Sequence, residues 1–541
     1  MHSINSYPLL VLALLGTLPL GWSGVQATQV QLGAKPPLRV AIIGAGAGGS
    51  SAAFWIQKAK ERHGMDVQVD VFERLNRVGG RVTTVHPYDD TNLPPQELGA
   101  SIFVPENKNL FRAAREFGLD LIELFDEDDV TLWDGDQVLF TYTGSWWDNL
   151  KILWRYGYSS PSKTQTLTQQ MIDRVLTMYT PTLPSWASIP GLLKDLGFSD
   201  YTAQSGFDVF TSQGVSQKFA QEMIEAATRV NYAQDITTIH GVGAGVCMVA
   251  SGAAQVSGGN HRIFEEFVNR SGAKLHLNTT VSDLQKSLSA STGKQVWTLS
   301  GDSNIPSASY DHVILAAPLA FSGITLQDSH VPFPKVDYVR LHVTLVSTTS
   351  SSARPERFGL QPGTHVGKFI LTTENRGDKG QAGSSTAVCD TQTSDTVVGA
   401  GCKQNLESKP DFNSISLHQT FERNGRKEYI WKVFSMDRKN DEWLEDVFGE
   451  GTVGWAYRKV WYSYPILHPA KAFPPVKADE GLWYVNSMEP FISTMETETL
   501  SSRNIVDNLL RESFGHGICP SNSPDRWGYK VEDEKIYGWD C

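Results

Sequence analysis

The segment Leu38-Arg39-Val40-Ala41-Ile42-Ile43 runs directly into Gly44-Ala45-Gly46-Ala47-Gly48-Gly49, and this junction constrains the fold more than any other feature of the chain. A continuous apolar run with a single charge predicts a strand buried on both faces. The G-x-G-x-x-G pattern then turns the chain into the helix-compatible Ser50 to Arg62, and a second strand, Val67 to Phe72, ends at Glu73. Together these make a complete βαβ unit. Gly44 permits the tight turn, Gly46 lets backbone approach a pyrophosphate, and Gly49 allows the helix to pack closely on the strand. The helix N-terminus offers free N–H groups and a positive dipole end to phosphates. Glu73 is placed to accept hydrogen bonds from ribose hydroxyls, and its charge repels a 2′-phosphate. A dinucleotide site is expected here, in preference to a merely structural glycine-rich turn.

At 541 residues and 40% hydrophobic, the chain can bury more than one core. Its net charge of −12 and lack of a long basic run exclude nucleic acid as a partner. Leu9 to Trp22 is apolar but too short to span a bilayer, and Val25-x-Ala27 suits cleavage, so residues 1–27 are expected to be a signal peptide. No later segment reads as a transmembrane helix, and no motif calls for a metal. In the secretory pathway the sequons at Asn269 and Asn278 become glycan sites, and some of the five cysteines should pair. The expected pairs are Cys389 with Cys402 and Cys519 with Cys541, leaving Cys247 free.

The stretch Glu73-Arg74-Leu75-Asn76-Arg77-Val78-Gly79-Gly80-Arg81 resembles the extended fingerprint of the amine-oxidase-like flavoproteins. That resemblance implies FAD rather than NAD, with Arg74, Gly80 and Arg81 at the cofactor and the Arg81 guanidinium fork on the pyrophosphate. Glu97-Leu98-Gly99-Ala100-Ser101 is similar to the loop that passes the flavin, with backbone at Gly99 and Ala100 close to the ring. Val281 is implied at the adenine side, and Glu496, opening a late helix, at the flavin end. Cofactor motifs thus sit at the beginning, middle and end of the chain. The expected fold class is α/β, a Rossmann-type FAD-binding domain of the GR2-like kind with an interleaved α+β substrate domain. The FAD domain is assigned to residues 38–110, 245–330 and 475–515, the substrate domain to 111–244 and 331–474, and a polar tail to 516–541.

Between the cofactor motifs lie Trp154-Arg155-Tyr156-Gly157, Arg229-Val230-Asn231-Tyr232-Ala233-Gln234, Ser257-Gly258-Gly259-Asn260, Leu341-His342-Val343-Thr344-Leu345-Val346 and Trp461-Tyr462-Ser463-Tyr464-Pro465. Their order and spacing, from about Arg39 to Leu510, resemble the prenylcysteine oxidase (prenylcysteine lyase) family. The resemblance implies FAD, dioxygen as acceptor, and cleavage of the thioether of farnesyl- or geranylgeranyl-cysteine in prenylated-protein breakdown; with no cysteine between Gly449 and Glu496 to form a cysteinyl-flavin bond, the FAD is expected to be non-covalent. Thr372 to Gln404 has no place in it and reads as an inserted surface loop.

A prenyl chain requires an apolar pocket with a few polar groups at one end. The aromatic-rich Trp133 to Tyr158 is the expected source, either lining that pocket or packing as core. Arg155, Arg229 and Asn231, with Trp154 and Tyr232 beside them, are candidates for holding the cysteine carboxylate, or else are buried structural partners. Hydride transfer from carbon needs no side-chain nucleophile, and no motif identifies a base; His261 and His342 are candidate helpers for water addition. A lysosomal, vacuolar or extracellular location and peripheral membrane contact are expected. Two other readings remain: a secreted FAD amine or polyamine oxidase, and an inactive flavin- or lipid-binding protein.

Overall fold

The computed structural model describes residues 36–124, 129–249, 252–289, 293–327, 332–374, 410–520 and 535–541. The expected signal peptide, the Cys389–Cys402 pair and most of the Thr372 to Gln404 insert lie outside them.

The apolar run forms strand β1 (Leu38–Ile43), followed by helix α1 (Ala47–His63) and strand β2 (Val67–Phe72). In β1, Val40, Ala41 and Ile42 are fully buried, as a strand covered on both faces must be. Parallel neighbours extend the sheet on both sides: β2 and then Lys274–His276 on one, His312–Leu315 and then Leu482–Tyr484 on the other. Antiparallel Lys477–Asp479 closes that second edge. All six strands fall within 38–110, 245–330 and 475–515, so one sheet is assembled from three distant stretches of chain. A smaller four-stranded sheet flanks it, built from Val281–Leu288, Gln295–Gly301, Ser309–Tyr310 and Thr325–Gln327.

Three more helices matter for the site. Helix α4 (Met495–Phe514) packs beside α1, and helix α2 (Lys108–Phe117) packs on α4 and meets α1 edge-on through Phe117 against Phe54; the α1 Trp55 indole donates to Thr499 O of α4 at 3.2 Å. Helix α3 (Trp146–Tyr156) is capped by Ser145, whose hydroxyl accepts from Asp148 N, and carries an apolar face with Trp146, Trp147, Leu150, Leu153 and Trp154 exposed.

Residues 130–142 and 338–465 build a second, seven-stranded sheet, ordered Val453–Pro465, Tyr338–Thr348, Arg426–Ser435, Ser414–Arg423, Phe369–Thr372, Val130–Trp133 and Val138–Tyr142. Its pairings are antiparallel except between Phe369–Thr372 and Val130–Trp133. Leu38–Cys541 forms one compact unit, whose largest core runs from α1 into the helices of residues 159–246. The expected polar tail is anchored instead: Ile536, Tyr537 and Trp539 are buried, and Cys519 is disulfide-bonded to Cys541. Cys247 is free and buried, as expected. Among the described residues no helix is long and apolar enough to cross a membrane.

Candidate active site

A cavity of about 1790 Å³ lies between the parallel sheet and the seven-stranded sheet. It exceeds the roughly 300–1,000 Å³ of a drug-sized ligand site and has room for a dinucleotide together with a second molecule.

The glycine loop forms one end. Gly44 has φ +103°, and a Cβ there would stand 2.6 Å from Ala316 O; at Gly49 it would stand 1.8 Å from Gly44 O, so neither position accepts a side chain. Gly46 differs. Its nearest neighbours would be Gly79 O and Gly80 Cα at 3.8 Å, so a side chain would enter the cavity rather than strike the protein. Glu73 secures the loop, accepting Ala45 N and Leu75 N at 2.9 Å through its two carboxylate oxygens. Second lone pairs on those oxygens remain for ribose hydroxyls.

Further along, Arg81 pairs with Glu489 and donates to Ser463 O at 2.8 Å, while Tyr338 OH also donates to Glu489. Asn486 donates to Glu498 Oε2 at 3.2 Å, leaving Asn486 Oδ1 and Glu498 Oε1 buried without hydrogen-bond partners. Burial and nearby Glu489 push the Glu498 carboxyl well above the usual carboxylate range. Unpaired buried polar atoms are rare and costly, and both residues line the cavity. The donor set and the open Gly46 cradle fit FAD.

The loop Glu97 to Ser101 crosses the middle of the cavity, held from behind by the Gly258-Gly259-Asn260 turn. Asn260 donates through its backbone to Glu97 Oε1 at 2.6 Å and through Nδ2 to Ala100 O at 2.9 Å. This grip stabilises Ala100 at φ +48°, a left-handed conformation unusual for alanine. Gly99 is required by the protein itself: a Cβ there would stand 2.5 Å from Trp461 Cζ2.

Gly44, Gly46, Glu73, Arg74, Gly80, Arg81, Gly99, Ala100, Val281, Glu496, Asn231 and Tyr232 all line this cavity, while Gly49 sits beneath the loop. Glu496 turns its carboxylate away, accepting Asn109 N, Leu110 N and Tyr179 OH, so it presents the α4 N-terminus rather than its own side chain.

Arg155, Arg229 and Trp154 do not line it. Arg155 makes a bidentate pair with Glu222 at 2.7 and 2.9 Å. Arg229 pairs with Asp235 at 2.6 Å and donates to Thr372 Oγ1. Trp154 stands 93% exposed on α3. Nor do His261 and His342: the first packs behind Gly79 and Gly259, and the second contacts Arg340 on its strand. Of the aromatics in 133–158 none lines the cavity; Trp133 stacks on Phe412 and Tyr156 packs edge-on to Phe219. Apolar lining comes instead from Met171, Ile172 and Val175 of the helix Ser159–Leu176 and from Phe369, Leu371 and Phe434 of the large sheet. Ser101, from the Glu97 to Ser101 loop, and Lys432 and His418, which no motif singles out, also line the cavity.

Residues 141–516 match the family model for prenylcysteine lyase, and residues 42–117 match an NAD(P)-binding Rossmann-like domain. The chain belongs to the prenylcysteine lyase family. Mouse prenylcysteine oxidase 1 is 28% identical to this family member over 87% of the chain and 88% of its own length. Farnesylcysteine lyase of Arabidopsis thaliana is 25% identical over 93% of each chain. Among solved structures, cyclohexylamine oxidase from Brevibacterium oxydans IH-35A (TM-score 0.54, 14% identity) and putrescine oxidase with bound putrescine (0.53, 16%) each align over 88% of this chain and 100% of their own. At that identity the likeness carries the fold alone: an amine-oxidase-like flavoprotein architecture.

Proposed function

We propose that this protein is an FAD-dependent oxidase that cleaves the thioether of S-prenyl-L-cysteine with dioxygen and water, giving a prenyl aldehyde, cysteine and hydrogen peroxide. The observation that carries the reading is a cofactor cradle opening directly onto an apolar chamber, in a chain of this family. When bound, FAD would supply a hydride acceptor for the prenyl C1–H, which is both allylic and next to sulfur, with dioxygen as the final electron acceptor. The protein's own contribution is placement. Glu73, the glycine loop and the α1 N-terminus hold the dinucleotide end, and the Glu97 to Ser101 loop sets where the ring can lie. Met171, Ile172, Val175, Leu371 and Phe434 take the isoprenoid out of water.

The test mixes protein anaerobically with S-farnesylcysteine, a polyamine or an aromatic amine while flavin absorbance is followed. Bleaching by the thioether is expected, and C15 should exceed C5 in kcat/KM because each buried CH2 is worth about 0.8 kcal/mol. Ready bleaching by amines with farnesylcysteine inert would leave only the flavin-oxidase reading.

We place the protein in the secretory pathway, ending in a lysosome, a vacuole or outside the cell. The Cys519–Cys541 disulfide favours an oxidising compartment, and Asn269 and Asn278 are exposed for glycan attachment. The exposed Trp146, Trp147 and Trp154 of α3 favour contact with a lipid surface, where amphipathic indole rings settle at the headgroup level.

A further inference from the structure

With Arg155 and Arg229 committed to Glu222 and Asp235, the cavity needs another cation to meet an anionic substrate group. Lys432 lies in the central strand Arg426–Ser435, opposite Leu345 on one side and Ser416 on the other, and is 2% exposed. Its Nζ donates to Ser101 Oγ on the loop that crosses the cavity and lies 5.0 Å from the Phe434 ring centroid. An ammonium carries three donors, and among the described contacts Ser101 occupies one of Lys432's. Glu97 is the nearby acidic group, its carboxyl pushed up to about 8 by burial, with Oε2 buried and unpartnered and no direct ion pair to Lys432 among the described residues. His418 faces the same wall and shares a hydrogen bond with Ser416 Oγ at 3.1 Å.

A buried ammonium with unused donors is costly unless an anion completes it. Glu97 fills none of those donors, so they stay available to a ligand.

We propose that Lys432 binds the carboxylate of the substrate's cysteine, with Ser101 fixing the ammonium and Glu97 acting as a positioning residue behind it. The cavity then has an order: isoprenoid among the apolar side chains, thioether beside the Gly99–Ala100 backbone, carboxylate at Lys432. The amino acid end is selected by charge and the prenyl end by burial. This assignment rests on the prenylcysteine reading.

The test compares wild-type protein with Lys432→Met, each assayed for FAD content first. Kinetics are measured with S-farnesylcysteine and its carboxamide. Equilibrium binding is measured by flavin absorbance change with the corresponding sulfones, whose oxidised sulfur cannot stabilise a cation at C1. Wild type should favour acid over amide by about 10- to 100-fold in Kd and kcat/KM, the range expected for a hydrogen bond to a charged group. In Lys432→Met that ratio should fall to about one, with amide kinetics near wild type. Lys432→Gln serves if the methionine variant does not hold FAD. A preference that survives either substitution, a wild type without one, or a variant that slows acid and amide equally overturns the assignment. Flavin that S-farnesylcysteine fails to reduce at all sinks the functional reading instead; normal reduction with an unchanged ratio sinks only Lys432.

Discussion

Cutting the link between Cys519 and Cys541 should loosen the cofactor domain, although both residues lie past the parallel sheet. Their sequence separation is 22, and in the loop-closure model such a cross-link removes about 3 kcal/mol of entropy from the unfolded chain. What the loop brings home is substantial. The Trp539 ring lies among Phe54, Trp55, Phe117 and Phe267 at centroid distances of 5.1 to 6.4 Å, and its indole donates to Asn109 of α2. Tyr537 OH and Ile518 N donate to buried Asp507 of α4, and Arg62 of α1 donates to Gly538 O and Trp539 O. The tail thus ties together the three helices behind the glycine loop. Cys519→Ser should lower the unfolding free energy of FAD-loaded protein by about 3 kcal/mol, and Trp539→Ala by roughly 3–5 kcal/mol. Urea unfolding followed by tryptophan fluorescence, with and without a reductant, reads both. If both variants lose less than about 1 kcal/mol, the tail is an ornament and the reasoning fails.

Gly46→Val should abolish FAD binding while leaving the fold intact, because its side chain meets open cavity rather than protein; full flavin occupancy in the variant would refute the assigned phosphate loop. Burial holds His240 and His312 down to about 4, against 6.5 unfolded, so each is neutral in the fold. The stability they preserve is complete above pH 6.5 and is lost as pH falls toward 4, by about 2 kcal/mol each at pH 5. Glu496, raised by burial to about 7, works the other way over the same range, so the informative quantity is the difference between wild type and His312→Gln at pH 7.5 and pH 5. An equal drop in both proteins would count against the histidine. Replacing Trp146, Trp147 and Trp154 together with alanine should reduce co-sedimentation with phosphatidylcholine vesicles without changing turnover of detergent-dispersed substrate; unchanged sedimentation removes α3 from the membrane proposal.

The cofactor half was legible because its determinants are local. A strand, a glycine turn, a helix and a terminal acid follow one another between Leu38 and Glu73, and each reports its role by residue type alone. Position at the cavity also followed for Arg81, Gly99 and Ala100, but their partners did not: Trp461, which fills the space Gly99 leaves, is over 350 residues away in sequence. The tail was misjudged by its average composition, although Ile536-Tyr537-Gly538-Trp539 carries enough apolar surface to anchor it. Lys432 had a readable signal. In Tyr429-Ile430-Trp431-Lys432-Val433-Phe434, apolar residues on both sides of the alternation predict a strand covered on both faces, where a lone lysine is an anomaly that needs a partner.

Arg155 and Arg229 show why a family-like motif locates a charge without assigning it. Both stand in the segments that carry the resemblance, and both are consumed by carboxylates of the same chain: Glu222, 67 residues from Arg155 and brought to it by the fold, and Asp235, six residues past Arg229 beyond the left-handed turn at Ala233 that ends its helix. A charge already matched inside the protein gains little from a ligand, because binding must first break the existing pair. The groups left incomplete are informative for the opposite reason. Glu498 Oε1, Asn486 Oδ1 and the free donors of Lys432 are buried at a cost that folding alone does not recover, and all three residues line one cavity. Two of them stand by the glycine-loop end and one by the apolar wall. The division between cofactor and substrate is therefore written in which polar groups the protein leaves unpaired.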